Sequence, residues 1–177
     1  YTNKGATMKN ALHFLNADPK GTQITTKVTS VTFGRTEDYA DIANTYTGVL
    51  ADQEQDGPVY AYYVPNGSSN YDVYFLASGD IYAPANCYEL MFDGTTRSAM
   101  SSLVSFNAEN LNTSRTTSMA RMFRDVGATS LDLSGFDTGA VTDMSYMFYN
   151  CKKMDTLNVT GWDTRNVKTT QCMFYFD

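Results

Sequence analysis

The chain has 177 residues, of which 42% are hydrophobic, enough to build a buried core, and no apolar run reaches the roughly 18 to 20 residues needed to cross a bilayer. Its net charge of -6 is uneven, since residues 1–95 carry 5 basic against 11 acidic groups while residues 96–177 carry 8 of each. No basic stripe is present to meet phosphates, which excludes nucleic acid as a partner. Three cysteines, Cys87, Cys151 and Cys172, are too few and too irregularly spaced for a disulfide scaffold or a zinc site, and are expected as buried small hydrophobes.

Residues 1–10 lack the basic flank and apolar stretch of a secretory signal, and the sequence begins without Met and stops inside a repeat, so the chain reads as a segment of a longer protein. The first predicted element is a short amphipathic helix over residues 8–15, ending near Asp18 and Pro19. It holds the single histidine, His13. No nucleophile elbow or cysteine-protease signature accompanies that residue, so it is read as structural.

A strand follows at Val28–Phe33. Asp52 to Gly57 imitates the start of an EF-hand loop, with acids at alternate positions and glycine sixth, but Pro58 and Tyr63 stand where ligands seven and twelve belong. It is read as a solvated acidic loop. Val59–Val64 and Tyr71–Leu76 form a predicted hairpin around Pro65–Asn70. Tyr60, Tyr62, Tyr63, Tyr71 and Tyr74, with Tyr82 nearby, make this hairpin a candidate ligand-binding patch, because tyrosine combines a large rigid face with a polar tip.

Beyond residue 96 the chain repeats itself. The segment from Ser130 to Phe148 recurs from Thr156 to Phe174, with Leu131 on Leu157, Phe136 on Trp162, Asp137 on Asp163, Thr138 on Thr164, Val141 on Val167 and Phe148 on Phe174, all 26 residues apart. An earlier unit with Leu111, Met119, Met122 and Phe123 lies 25 residues upstream of its counterparts, and a degenerate one ends at Met91 and Phe92. Within a unit, Leu131-Asp-Leu133 alternates as a strand does, while Met144, Met147 and Phe148 fall at i, i+3 and i+4, the stripe of a short helix. Thr142 or Asp143 is placed to cap that helix. Units of this size bury their apolar faces only by stacking. Met122, Phe123, Met147, Phe148, Met173 and Phe174 are therefore expected as shared core.

Stacking also brings Asp137 and Asp163 to about 4.8 Å strand spacing. One reading is a paired acid/base or calcium site; the other, favoured by repetition, is that each Asp caps its own turn, with Thr138 and Thr164 beside it. Neither a phosphate-cradling loop nor a dinucleotide fingerprint occurs. No catalytic residue, cofactor or metal is expected, and the chain is not expected to be an enzyme.

The phrase Leu131-Asp-Leu-Ser-Gly-Phe-Asp-Thr138 followed by Val141-Thr-Asp-Met-Ser-Tyr-Met-Phe148 resembles the repeat of BspA-like leucine-rich-repeat surface proteins, over about residues 105–176. Val28–Gly34, Tyr60–Pro65 and Ile81–Pro84 resemble, more loosely, the section that precedes such repeats. The resemblance implies an α/β fold: a short right-handed leucine-rich-repeat-like solenoid of parallel strands and short helices over residues 96–177, about three units, behind an α+β capping section over residues 1–95. It further implies an extracellular module on a bacterial cell surface that adheres to a host or bacterial protein through the repeat face or the Tyr-rich hairpin. A carbohydrate-binding segment and a rigid spacer are the alternatives. The uncovered end after Phe174 is expected to support self-association.

Overall fold

A computed structural model describes residues 25–52, 57–67, 69–88, 90–93 and 98–176. The helix expected over residues 8–15, with His13, and residues 53–56 of the acidic stretch lie outside them. In chain order the strands are β1 (Val28–Arg35), β2 (Val49–Asp52), β3 (Val59–Pro65), β4 (Tyr71–Ala77), β5 (Ile81–Tyr82), β6 (Phe92–Asp93), β7 (Ser98–Ala99), β8 (Ser105–Asn107), β9 (Leu111–Asn112), β10 (Ser130–Asp132) and β11 (Thr156–Asn158). Among the described residues, the α-helix α1 (Ala40–Thr45) buries none of its side chains.

Five strands form a mixed sheet in the order β2-β3-β4-β1-β8, antiparallel from β2 to β4 and parallel from β4 to β8. Apolar alternation builds it: Val59, Ala61, Val73 and Phe75 point to one side and are fully buried. In β1 the alternation breaks, since Val28, Val31 and Phe33 are all buried. A bulge between Val28 and Ser30 shifts the register and brings Val28 to the same side as Val31.

The repeats stack on this sheet through β8, β10 and β11, where Phe106, Leu131 and Leu157 occupy equivalent positions. Strands β10 and β11 pair in parallel, Leu131 opposite Leu157, and parallel bridges join Asn86 to Ser118, Ser118 to Asp143 and Asp143 to Thr169. A line of aromatic rings passes from the sheet through the stack. Phe33 lies 4.9 Å from Phe75 and 6.0 Å from Phe106, Phe106 lies 5.1 Å from Phe123, and Phe123, Phe148 and Phe174 follow at 5.8 and 5.6 Å, nearly parallel. Sheet and repeats thus share one core. Gly127 allows a close approach within it: an added Cβ would collide with the Ser101 carbonyl oxygen.

The expectation of an α/β leucine-rich-repeat-like solenoid behind an α+β cap is corrected by this architecture. Strands make up 31% of the structure and helices 6%, and the sheets are mixed, with antiparallel pairs. Among the described residues no unit contains the helix expected at Met144–Phe148. Met147, Tyr149 and Cys151 instead donate to the carbonyls of Met144, Tyr146 and Phe148, three residues back, as successive tight turns do. Met144, Tyr146, Phe148 and Asn150 send their N–H groups to Thr169, Gln171, Met173 and Tyr175 of the next unit, at 2.8–3.0 Å. A five-residue segment gains little from helix, whose nucleation is unfavourable, when alternate N–H groups find carbonyls across the gap and those between them are satisfied within the unit. Met144, Met147 and Phe148 are still buried, so the i, i+3, i+4 spacing marks a buried stripe here without marking a helix.

Candidate interaction surface

The five hairpin tyrosines do not share one face. Tyr63 and Tyr71, edge to face at 5.5 Å, pack against the core side of the sheet. Tyr60, Tyr62 and Tyr74 occupy the opposite side, where Tyr62 pairs across the strands with Tyr74 and is only 8% exposed. Its ring lies against Gly48, whose missing Cβ makes the contact possible. Tyr39 covers Tyr74 at 5.5 Å. Burial, then the neighbouring Tyr60, pushes the Tyr62 hydroxyl pKa up; burial, then Asp72, Tyr39 and Tyr46, does the same for Tyr74. Tyr60 is the exposed member.

Each aspartate of the pair caps its own turn. Asp137 Oδ1 accepts from the Gly139 N–H and Asp163 Oδ1 from the Arg165 N–H, both at 3.0 Å. Asn112 does the same for Ser114 one unit earlier. The Arg165 guanidinium also grips Asp163, at 2.7 Å, and its side-chain and backbone hydrogen bonds hold that carboxyl down at about 2. Equivalent turns recur at Asn107, Asp132 and Asn158, and at Asn86, Asp143 and Thr169. Three columns of such turns therefore shape the corners of the stack. Of the threonines beside the pair, Thr138 is buried and bridges to the next unit, whereas its equivalent Thr164 is exposed. Among the described residues no group of three or more His, Cys, Asp or Glu side chains is arranged to hold a metal ion.

Another feature escaped the sequence reading. Arg121, Tyr146 and Cys172 occupy the same place in successive units, and each has a left-handed backbone, with φ of 56°, 56° and 51°. That conformation costs an L-residue energy, and its return in each unit fits a geometry the stack enforces. It aims the N–H at the next unit and leaves the side chain on the outer surface. The Arg121 guanidinium lies between two rings, 5.3 Å from the centroid of Tyr88 and 5.2 Å from that of Tyr146. Alongside, Arg124 sits 5.6 Å from Tyr149, which stacks on Tyr175 at 5.3 Å and 10°. Tyr146 and Tyr149 join the columns at 5.5 Å. The Tyr146 hydroxyl pKa is raised, first by its hydrogen bond with Cys172. The signal was available: the 25- and 26-residue offsets that align the phenylalanines also align Arg121 with Tyr146 and Arg124 with Tyr149 and Tyr175.

Fold and surface define a predominantly β protein whose repeats stack in register and carry a ladder of tyrosine and arginine on one side. The family model described as "Mycoplasma protein of unknown function, DUF285" matches residues 88–176, half of the chain, and the chain belongs to that family. No curated protein and no solved structure gives a match. Among the described residues no helix is long and apolar enough to cross a membrane.

Proposed function

We propose that the chain is an interaction module of a bacterial cell surface, of the BspA-like kind, that adheres to a protein on a host or neighbouring cell and catalyses no reaction. The observation that carries this reading is the double column of Tyr88, Arg121 and Tyr146 beside Arg124, Tyr149 and Tyr175. Tyrosine and arginine are the residues that anchor protein interfaces, because each offers broad, stiff contact area with a polar end. Stacking fixes their rotamers before a partner arrives, which lowers the entropy lost on binding.

The test is saturable binding of the fluorescently labelled chain to cultured host cells and to bacterial cells. Prior protease treatment of the cells should abolish binding, and periodate treatment should leave it intact. A Tyr149→Ser, Tyr175→Ser double variant with an unchanged unfolding midpoint should bind at least tenfold more weakly. Loss of binding after periodate would instead favour a glycan ligand, and the absence of saturable binding would leave the chain as a spacer.

A further inference from the structure

Three parallel strands bring remote acids together at one edge of the sheet. Strands β1, β4 and β8 run in the same direction, so the segments that follow them leave from the same edge. Asp38 comes after β1, Asp80 after β4 and Glu109 after β8, and all three are exposed. Asp80 and Glu109 line two adjoining hollows, with Asp38 in one and Asp137, from the neighbouring repeat, in the other. Arg35 is the basic side chain among the described lining residues, and Asp80 engages it at 2.7 Å. Among the described residues the Asp38 and Glu109 carboxylates form no ion pair.

Both hollows share Asn110, which is 9% exposed. Its backbone ties the sheet to the repeats, donating to the Phe33 carbonyl and accepting from the Ile81 N–H, both at 3.1 Å. Its side-chain nitrogen donates to the Gly34 carbonyl at 3.2 Å and to the Gly79 carbonyl at 2.9 Å. Turning the amide over would set its oxygen against two carbonyl oxygens, so the position of Oδ1 is fixed. No donor among the described residues reaches that oxygen, and it is not sealed from solvent as Asn150 Oδ1 is, so it opens to the groove. The structural tie accounts for the nitrogen and leaves the oxygen for a donor that arrives through the groove. Glu109 also borders a third hollow, floored by the buried Phe106, Leu111 and Phe136.

We infer that this groove binds a lysine- or arginine-bearing segment of a partner polypeptide, whose cationic heads lie among Asp38, Asp80 and Glu109 and donate to Asn110 Oδ1. Every unpaired group on offer is an acceptor, and the apolar floor lies beside them. Lysine and arginine match both, because each carries a donor-only cationic head on a hydrocarbon stem. The inference goes beyond the interaction reading, since the groove shares no residue with the tyrosine and arginine columns, and its test involves no cells.

The probe is the N-acetylated, C-amidated peptide Gly-Lys-Gly-Arg-Gly, titrated into the full chain and followed by amide NMR. Saturable shifts should be confined to the Glu109 amide, the Asn110 side-chain NH2 and their neighbours in the groove. Glu109→Gln should bind about fivefold more weakly, the upper range for a partly exposed ion pair, with an unchanged unfolding midpoint. Asp38→Asn should act in the same direction. Asp155→Asn, which alters an exposed acid outside the groove, should leave the affinity as it was. Equal losses for Glu109→Gln and Asp155→Asn would reduce the effect to general attraction by a net charge of -6 and overturn the inference. So would saturating peptide that leaves the Asn110 side chain unmoved, or spermine binding at the same residues as tightly as the peptide, which would make this a site for small polycations.

Discussion

Thr138 and Asp163 bond to each other reciprocally across the gap between two units. The Thr138 hydroxyl donates to the Asp163 carbonyl at 3.0 Å and accepts from the Asp163 N–H at 2.8 Å. Thr113 donates in the same way to the Asp137 carbonyl, at 3.0 Å, one unit earlier. Thr138 is 1% exposed, so water does not replace these bonds if the hydroxyl is lost. Thr138→Val keeps the shape of the side chain and orphans two backbone groups, which should cost about 1–3 kcal/mol. Urea unfolding measures it; a stability equal to wild type would show that the bridge contributes nothing.

Phe148 lies between two parallel rings and is fully buried. Phe148→Ala removes both stacking contacts and leaves a cavity in the centre of the column, at an expected cost of about 3–5 kcal/mol. Phe174→Ala, at a site more than half exposed, should cost much less. Equal losses for the two variants, measured as unfolding midpoints at constant m-value, would mean that the column does not have this buried centre.

Arg165 holds the Asp163 carboxyl at about 2, below the ordinary aspartate value of 3.8. A carboxyl depressed in the folded state adds stability above its unfolded pKa, and that contribution is lost as pH falls from about 4 towards 2. Carbon-13 titration of the Asp163 carboxyl should show the low midpoint, and Arg165→Gln should raise it. A midpoint indifferent to Arg165→Gln would refute the pairing.

Burial also separates the cysteines. Cys151 donates its thiol to the Phe123 carbonyl at 3.0 Å, and burial pushes its pKa up to about 11, while Cys87 is buried and Cys172 is exposed. The thiolate is the reactive form. At pH 8 a disulfide reagent should therefore modify Cys172 quickly and the other two only on unfolding. Rapid modification of Cys151 in the folded chain would contradict its position in the stack.

Regular offsets made several of these features legible in the sequence. The 25- and 26-residue spacing located the column of Phe123, Phe148 and Phe174 because repeats of this length bury their apolar sides only against each other. The turn role of Asp137 and Asp163 was legible for a related reason, since each unit needs the same corner. The conformation of Met144–Phe148 was not legible. A helix and a run of tight turns can bury the same three positions, and what separates them is a set of carbonyls some 25 residues away. Strand β8 was hidden similarly: Phe106 reads as an isolated apolar residue, and its partner Val31 is remote in the chain. The tyrosine cluster misled because sequence proximity does not separate the two faces of a sheet, although the odd and even positions of Tyr60, Tyr62 and Tyr63 do.

The central claim, that neighbouring units are joined by amides pointing across the gap and not along a helix, is open to direct measurement by NMR couplings transmitted through hydrogen bonds. The stacked arrangement predicts correlations from the Phe123 nitrogen to the Met147 carbonyl carbon and from the Phe148 nitrogen to the Met173 carbonyl carbon, bonds of 3.0 Å each. A correlation from the Phe148 nitrogen to the Met144 carbonyl carbon, four residues back, would mean that each unit carries a helix and would contradict the account.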